Sequence, residues 1–135
     1  MGLDFTYLQS FLSGFISAII LYQSAVVAGT VFKSLEQSQS RIFLRTIFPK
    51  FFKFIFILGL ITLLISIITN SHYYQYIVSS VTIVFSFVCV LIIPMTNRFK
   101  DEKNNKMFGY LHALSVLMTM IILLLNISLI FVIYH

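Results

Sequence analysis

"KFFKFIFILGLITLLISIIT", residues 50–69, carries charge only at its start, on Lys50 and Lys53, and is otherwise as apolar as a hydrocarbon interior. A helix needs about 20 such residues to cross a bilayer. Three further runs, about 5–32, 77–95 and 108–134, are near or above that length. The 135-residue chain is 59% hydrophobic and 10% charged, with a mean hydropathy of +1.00. An average soluble protein is about 25% charged, so this chain cannot cover itself with a water-facing surface. The sequence therefore predicts one domain over 1–135, all-α, an integral membrane antiparallel four-helix bundle. The first run lacks a basic leader and is too long for a signal-peptide core, so it is expected to remain in the mature protein.

The nine basic residues set an expected orientation. Lys33, Arg41, Arg45, Lys50 and Lys53 surround the first connection, and Arg98, Lys100, Lys103 and Lys106 surround the third. None occurs elsewhere. Loops rich in Lys and Arg stay inside, which places both connections in the cytoplasm or mitochondrial matrix and both termini on the outer side. Tyr7, Tyr73, Tyr74, Tyr76 and Tyr134 then fall at the outer edge, where tyrosine rings favour the interface. The expected home is a bacterial cytoplasmic membrane or a mitochondrial inner membrane. A pI near 9.5 reads as contact with anionic lipid at the cytoplasmic face rather than nucleic-acid binding, for which no motif is present. Arg41, Arg45, Arg98 and Lys100 are the expected membrane-surface anchors. Within 33–49, Arg41 and Arg45 share one helical face while Phe43, Leu44, Ile47 and Phe48 group towards the other. That pattern predicts a short interfacial helix near 38–48, stopped by Pro49.

Inside the spans, small and polar residues recur in steps of three, four or seven. They are Ser10, Ser13, Ser17 and Ser24; Gly59, Thr62, Ser66 and Thr69; Ser79, Thr82, Ser86 and Cys89; and His112, Ser115, Thr119 and Asn126. Such stripes let membrane helices approach closely and bond across the seam, or alternatively line a polar cavity. Cys89, the single cysteine, permits no intrachain disulfide and no paired-thiolate metal site.

His112 is the only ionisable side chain well inside a predicted span, which makes it a candidate site by the cost of burying it. Asn97, Arg98 and Asp101 at the end of the third run, and Gln23 from the first, are its expected partners. The third helix is expected to end after Pro94–Asn97, turning Asn97 and Asp101 back towards His112. The alternative is a neutral histidine that simply locks two helices. Haem or copper ligation by His112 with Met107, Met118 or Met120 is a weak metal candidate, since no paired ligand motif accompanies it. No cofactor is expected otherwise. With acids only at Asp4, Glu36, Asp101 and Glu102, and no nucleophile elbow or phosphate loop, no enzyme activity is expected.

The motifs "VFKSL" (31–35), "IFPKFFKF" (47–54), "PMTNRFKD" (94–101) and "FGYLHALS" (108–115) together resemble the transmembrane protein 205-like family, small four-helix proteins of largely unassigned function. The resemblance implies a motif set of Phe32, Leu35, Phe48, Pro49, Asn97, Asp101, His112 and Ser115. Phe51 or Phe52 stands where that family often has tyrosine, and Thr119 where it often has a second asparagine. The resemblance also links the chain, in name, with platinum-drug resistance, and in fold with copper-resistance and haem-pathway membrane proteins. Two functions are expected to compete. One is an accessory or structural subunit that packs with other membrane subunits or with itself. The other handles a small solute, copper or haem at a cluster of Asn97, Asp101, His112 and Ser115.

Overall fold

A computed structural model of the chain describes residues 5–132, all of them in helices or the turns between them. The first span is composite: α1 (Phe5–Leu21), a π-helical stretch (Tyr22–Val27) and α2 (Ala28–Ser34). The others are α3 (Gln37–Thr69), α4 (Tyr73–Asp101) and α5 (Asn105–Val132). Four helical spans are thus long and apolar enough to cross a membrane. Each begins or ends beyond the apolar run that predicts it, and the end of the 108–134 run, with Tyr134, lies outside the described residues.

The extra length comes from polar residues that cap helices. The expectation that the third helix ends after Asn97 is corrected: α4 continues to Asp101 and closes on Lys103, which takes a left-handed φ of 59°. The Lys103 N–H donates to Lys100 O at 3.2 Å and the Asn104 N–H to Phe99 O at 2.9 Å, satisfying carbonyls that the helix end leaves free. Asn104 then opens α5, its Oδ1 accepting the Met107 N–H at 3.3 Å. At the other end, left-handed Asn70 closes α3 and His72 Nδ1 accepts the Tyr74 N–H to begin α4.

The separate interfacial helix near 38–48 is likewise corrected. Its residues form the first turns of α3, which passes through Pro49 without ending. A proline removes one N–H from the ladder, a loss that neighbouring contacts can offset. The segment ahead of the proline is held by contacts of its own: Gln39 Oε1 accepts the Glu36 N–H at 3.4 Å, Ser40 Oγ lies 3.4 Å from both Val31 O and Leu35 O, and Arg45 reaches α4. The connection expected over 33–49 shrinks to Leu35 and Glu36.

With turns this short, neighbouring spans run antiparallel. α1 packs on α3 and α5, α3 on α4, and α4 on α5, closing a four-sided bundle. Eight of the nine basic residues lie towards one end, here called the basic end, and the ninth, Lys53, stands exposed at the middle of α3. Ser17, Thr62, Ser86 and Thr119 are all buried, so the stripes do face inward over the middle of the bundle. Ile16, Ile20, Phe52, Ile55 and Ile122 pack between them. Leu, Ile, Phe and Val dominate the outer face.

Candidate functional site

The inward stripes separate at the basic end. Ser24 and His112, one stripe member from each flanking helix, are exposed rather than packed, and a cavity of about 850 Å³ opens between the spans. The break in the first span explains the shift. In the π-helical stretch the Ala28 N–H reaches back five residues to Gln23 O, which widens the turn and re-aims the side chains. Gln23, not Ser24, is therefore the buried residue there, 8% exposed. Its Nε2 has no hydrogen-bond partner, and Gln23 lines the cavity.

The cavity has three zones. Arg41, Arg45, Lys100 and His112 lie among its lining at the charged end, Phe48, Phe51 and Phe52 supply an aromatic wall, and Gln23, Ser24, Ser115 and Thr119 contribute hydroxyl and amide groups. Lys100 Nζ sits 4.7 Å from the centre of the Phe108 ring, which stacks in turn on His112 at 5.7 Å. Arg45 forks onto Asp101, with Nη2 to Oδ1 at 2.6 Å and Nη1 to Oδ2 at 3.1 Å, and also donates to Asn97 O at 3.3 Å.

That fork corrects the expected pairing of Asp101 with His112: the carboxylate is taken by Arg45 across the α3–α4 seam. Asn97, His112 and Ser115 do line one cavity, but Asp101 stands outside its lining. Ser115 Oγ donates to Leu111 O at 3.2 Å. Arg98 faces elsewhere, 3.8 Å from Glu102 and over the Phe99 ring. Of the other motif positions, Phe32, Leu35 and Phe48 join the lining and Pro49 does not. Met120 shares the cavity with His112, whereas Met118 is buried in the core. Among the described residues no three of His, Cys, Asp and Glu gather as a metal-ligating group.

Gln23 and His112, expected as partners, line one chamber, and a polar cavity is what the stripes suggest only as the alternative to close packing. The available signal was a lone glutamine within an apolar run. Two more such glutamines mark the opposite end. Gln9 Nε2 donates to Ser66 Oγ at 3.0 Å and Ser71 Oγ at 2.9 Å, beside a space of about 10 Å³ shared with Gln75, whose Oε1 has no hydrogen-bond partner.

Comparison with known proteins adds a family but no activity. No curated protein and no solved structure gives a significant match, and none of the comparisons connects the chain to the transmembrane protein 205-like proteins that its motifs resemble. One family model, described as "Domain of unknown function (DUF4149)", matches residues 10–128. Since that match takes in most of the chain and part of every span, the protein belongs to the DUF4149 family.

Proposed function

We propose that this is a non-enzymatic integral membrane protein that binds a small ligand in the cavity at its basic end, with that end in the cytoplasm or matrix. The observation that carries the reading is the chamber itself. Its volume of about 850 Å³ lies within the roughly 300–1,000 Å³ of small-molecule pockets, and it joins a charged mouth, an aromatic wall and a buried amide donor that lacks an acceptor. Six of the eight motif positions, namely Phe32, Leu35, Phe48, Asn97, His112 and Ser115, line it, which gives the transmembrane protein 205-like resemblance a common location.

Purification in mild detergent followed by native mass spectrometry, an optical spectrum and metal analysis tests this. The expected result is a stoichiometric small ligand that is lost when Ala28→Trp or Ser115→Trp fills the chamber. A Soret band or bound copper would identify that ligand as haem or copper held at His112. The opposing result is a chain that carries no ligand but co-purifies with a stoichiometric membrane subunit, which would favour the accessory role.

A further inference from the structure

The chamber is open on one flank. α1 packs on both α3 and α5, but beyond the π-helical stretch α2 packs on α3 and not on α5. Ala28 and Phe32 on one side, and Val116 and Met120 on the other, belong to the lining and keep exposed or half-exposed surface. A gap between two membrane spans faces lipid.

The charges within it do not cancel. Arg45 is matched by Asp101, while Arg41 and Lys100 have no ion-pair partner among the described residues. Two cations over an aromatic wall suit an acid that carries an apolar body. Deeper in, Gln23 Nε2 needs an acceptor, because an unpaired buried amide is costly. Gln23 stands nine residues before Phe32, roughly 13 Å along the helix axis at about 1.5 Å per residue. Gln23 thus lies well inside the first span, which ends at Ser34, whereas Arg41 stands in the first turns of α3 and Lys100 in the last turn of α4.

We propose, building on the ligand-binding reading above, that the ligand is an acidic amphiphile of the bilayer. It enters sideways between α2 and α5, sets its carboxylate or phosphate on Arg41 and Lys100, and offers Gln23 a hydrogen-bond acceptor part-way along its apolar body.

The sequence contains no tryptophan, so Phe48→Trp places a unique fluorophore in the chamber, with Phe51→Trp as a second reporter should the first misfold. Phe87→Trp on the outer face serves as the reference. The full chain in phosphatidylcholine vesicles is titrated with octadecanoate, its mid-chain ketone derivative, octadecanol and inorganic phosphate. The ketone acid is expected to shift the chamber reporter saturably and leave the reference unchanged, with octadecanol at least about tenfold weaker, the scale of a charge-assisted contact. Arg41→Gln with Lys100→Gln should weaken both acids and leave the alcohol unaffected. Gln23→Leu should bring the ketone acid down to the plain acid without weakening the latter, a selective change that a merely structural glutamine would not give. Equal binding of alcohol and acid, or no effect of removing the two cations, overturns the acidic class while ligand binding stands. An equal shift with phosphate alone overturns the bilayer source. Silence of both chamber reporters to every probe overturns this proposal and the ligand-binding reading together.

Discussion

Asn126, 2% exposed within the fourth span, donates to Thr82 Oγ1 at 3.1 Å and to Ile122 O at 2.8 Å. Hydrogen bonds between membrane helices average about 0.6 kcal/mol and reach about 1.7. We therefore expect Thr82→Val to lower stability by about 0.5–1.5 kcal/mol. Thr82→Val combined with Asn126→Leu should cost less than the sum of the two, because neither leaves the other unpaired. Unfolding in mixed micelles measures both, and strict additivity would count against the pair. The Arg45–Asp101 pair is a weaker tie, since both side chains are partly exposed and such pairs contribute about 0–1 kcal/mol. Asp101→Asn should thus barely move stability, but by releasing Arg45 to the chamber it should strengthen binding of an acidic ligand. Burial of Ser17, Thr62, Ser86, Thr119 and Asn126 is legible in the sequence from their spacing. The partner of Asp101 is not, and the cause is Pro49: a helix that starts only after that proline leaves Arg45 in a separate element, with no route to α4.

Close approach of α3 and α4 depends on Gly59. A Cβ built there would lie 3.0 Å from Ile83 Cγ1 and 3.1 Å from Thr82 Cγ2, tighter than ordinary contact. Gly59→Val should force the helices apart and cost about 1–3 kcal/mol, as overpacking does. Gly109, with no atom within 4 Å of such a Cβ, is the control, and Gly109→Ala should be neutral or mildly stabilising. A thermal melt of both variants checks the contrast; equal melting temperatures would remove Gly59 from the interface. The number of spans and their approximate centres followed from apolar run length, because burying twenty apolar residues dominates local preference. Their ends did not, since caps such as Asn104 and the left-handed Lys103 draw polar residues into or beside the helices. The π-helical stretch has no length or composition signature, so the break in the first stripe, which decides where the polar faces part, is not legible.

For the bundle as assembled, the ends carry very different charge. Every Lys and Arg except Lys53, at the middle of α3, lies towards one end, while the Asn70–His72 turn carries none. With the basic end inside, Ser71→Cys should react with an impermeant thiol reagent from outside and Asn104→Cys only after the membrane is breached. Native Cys89 is 0% exposed and should stay silent. Labelling of Ser71→Cys solely from the cytoplasmic face would invert the orientation. The Asn70–His72 turn also bears on how the protein is made. Only three residues long and free of Lys and Arg, it presents little barrier to translocation, so α3 and α4 can enter the bilayer together as a hairpin while α1 settles against them later through Gln9 on Ser66 and Ser71. A nascent chain stopped after residue 104 should then already resist alkaline extraction, with the last helix completing a pair whose insertion was finished before it left the ribosome.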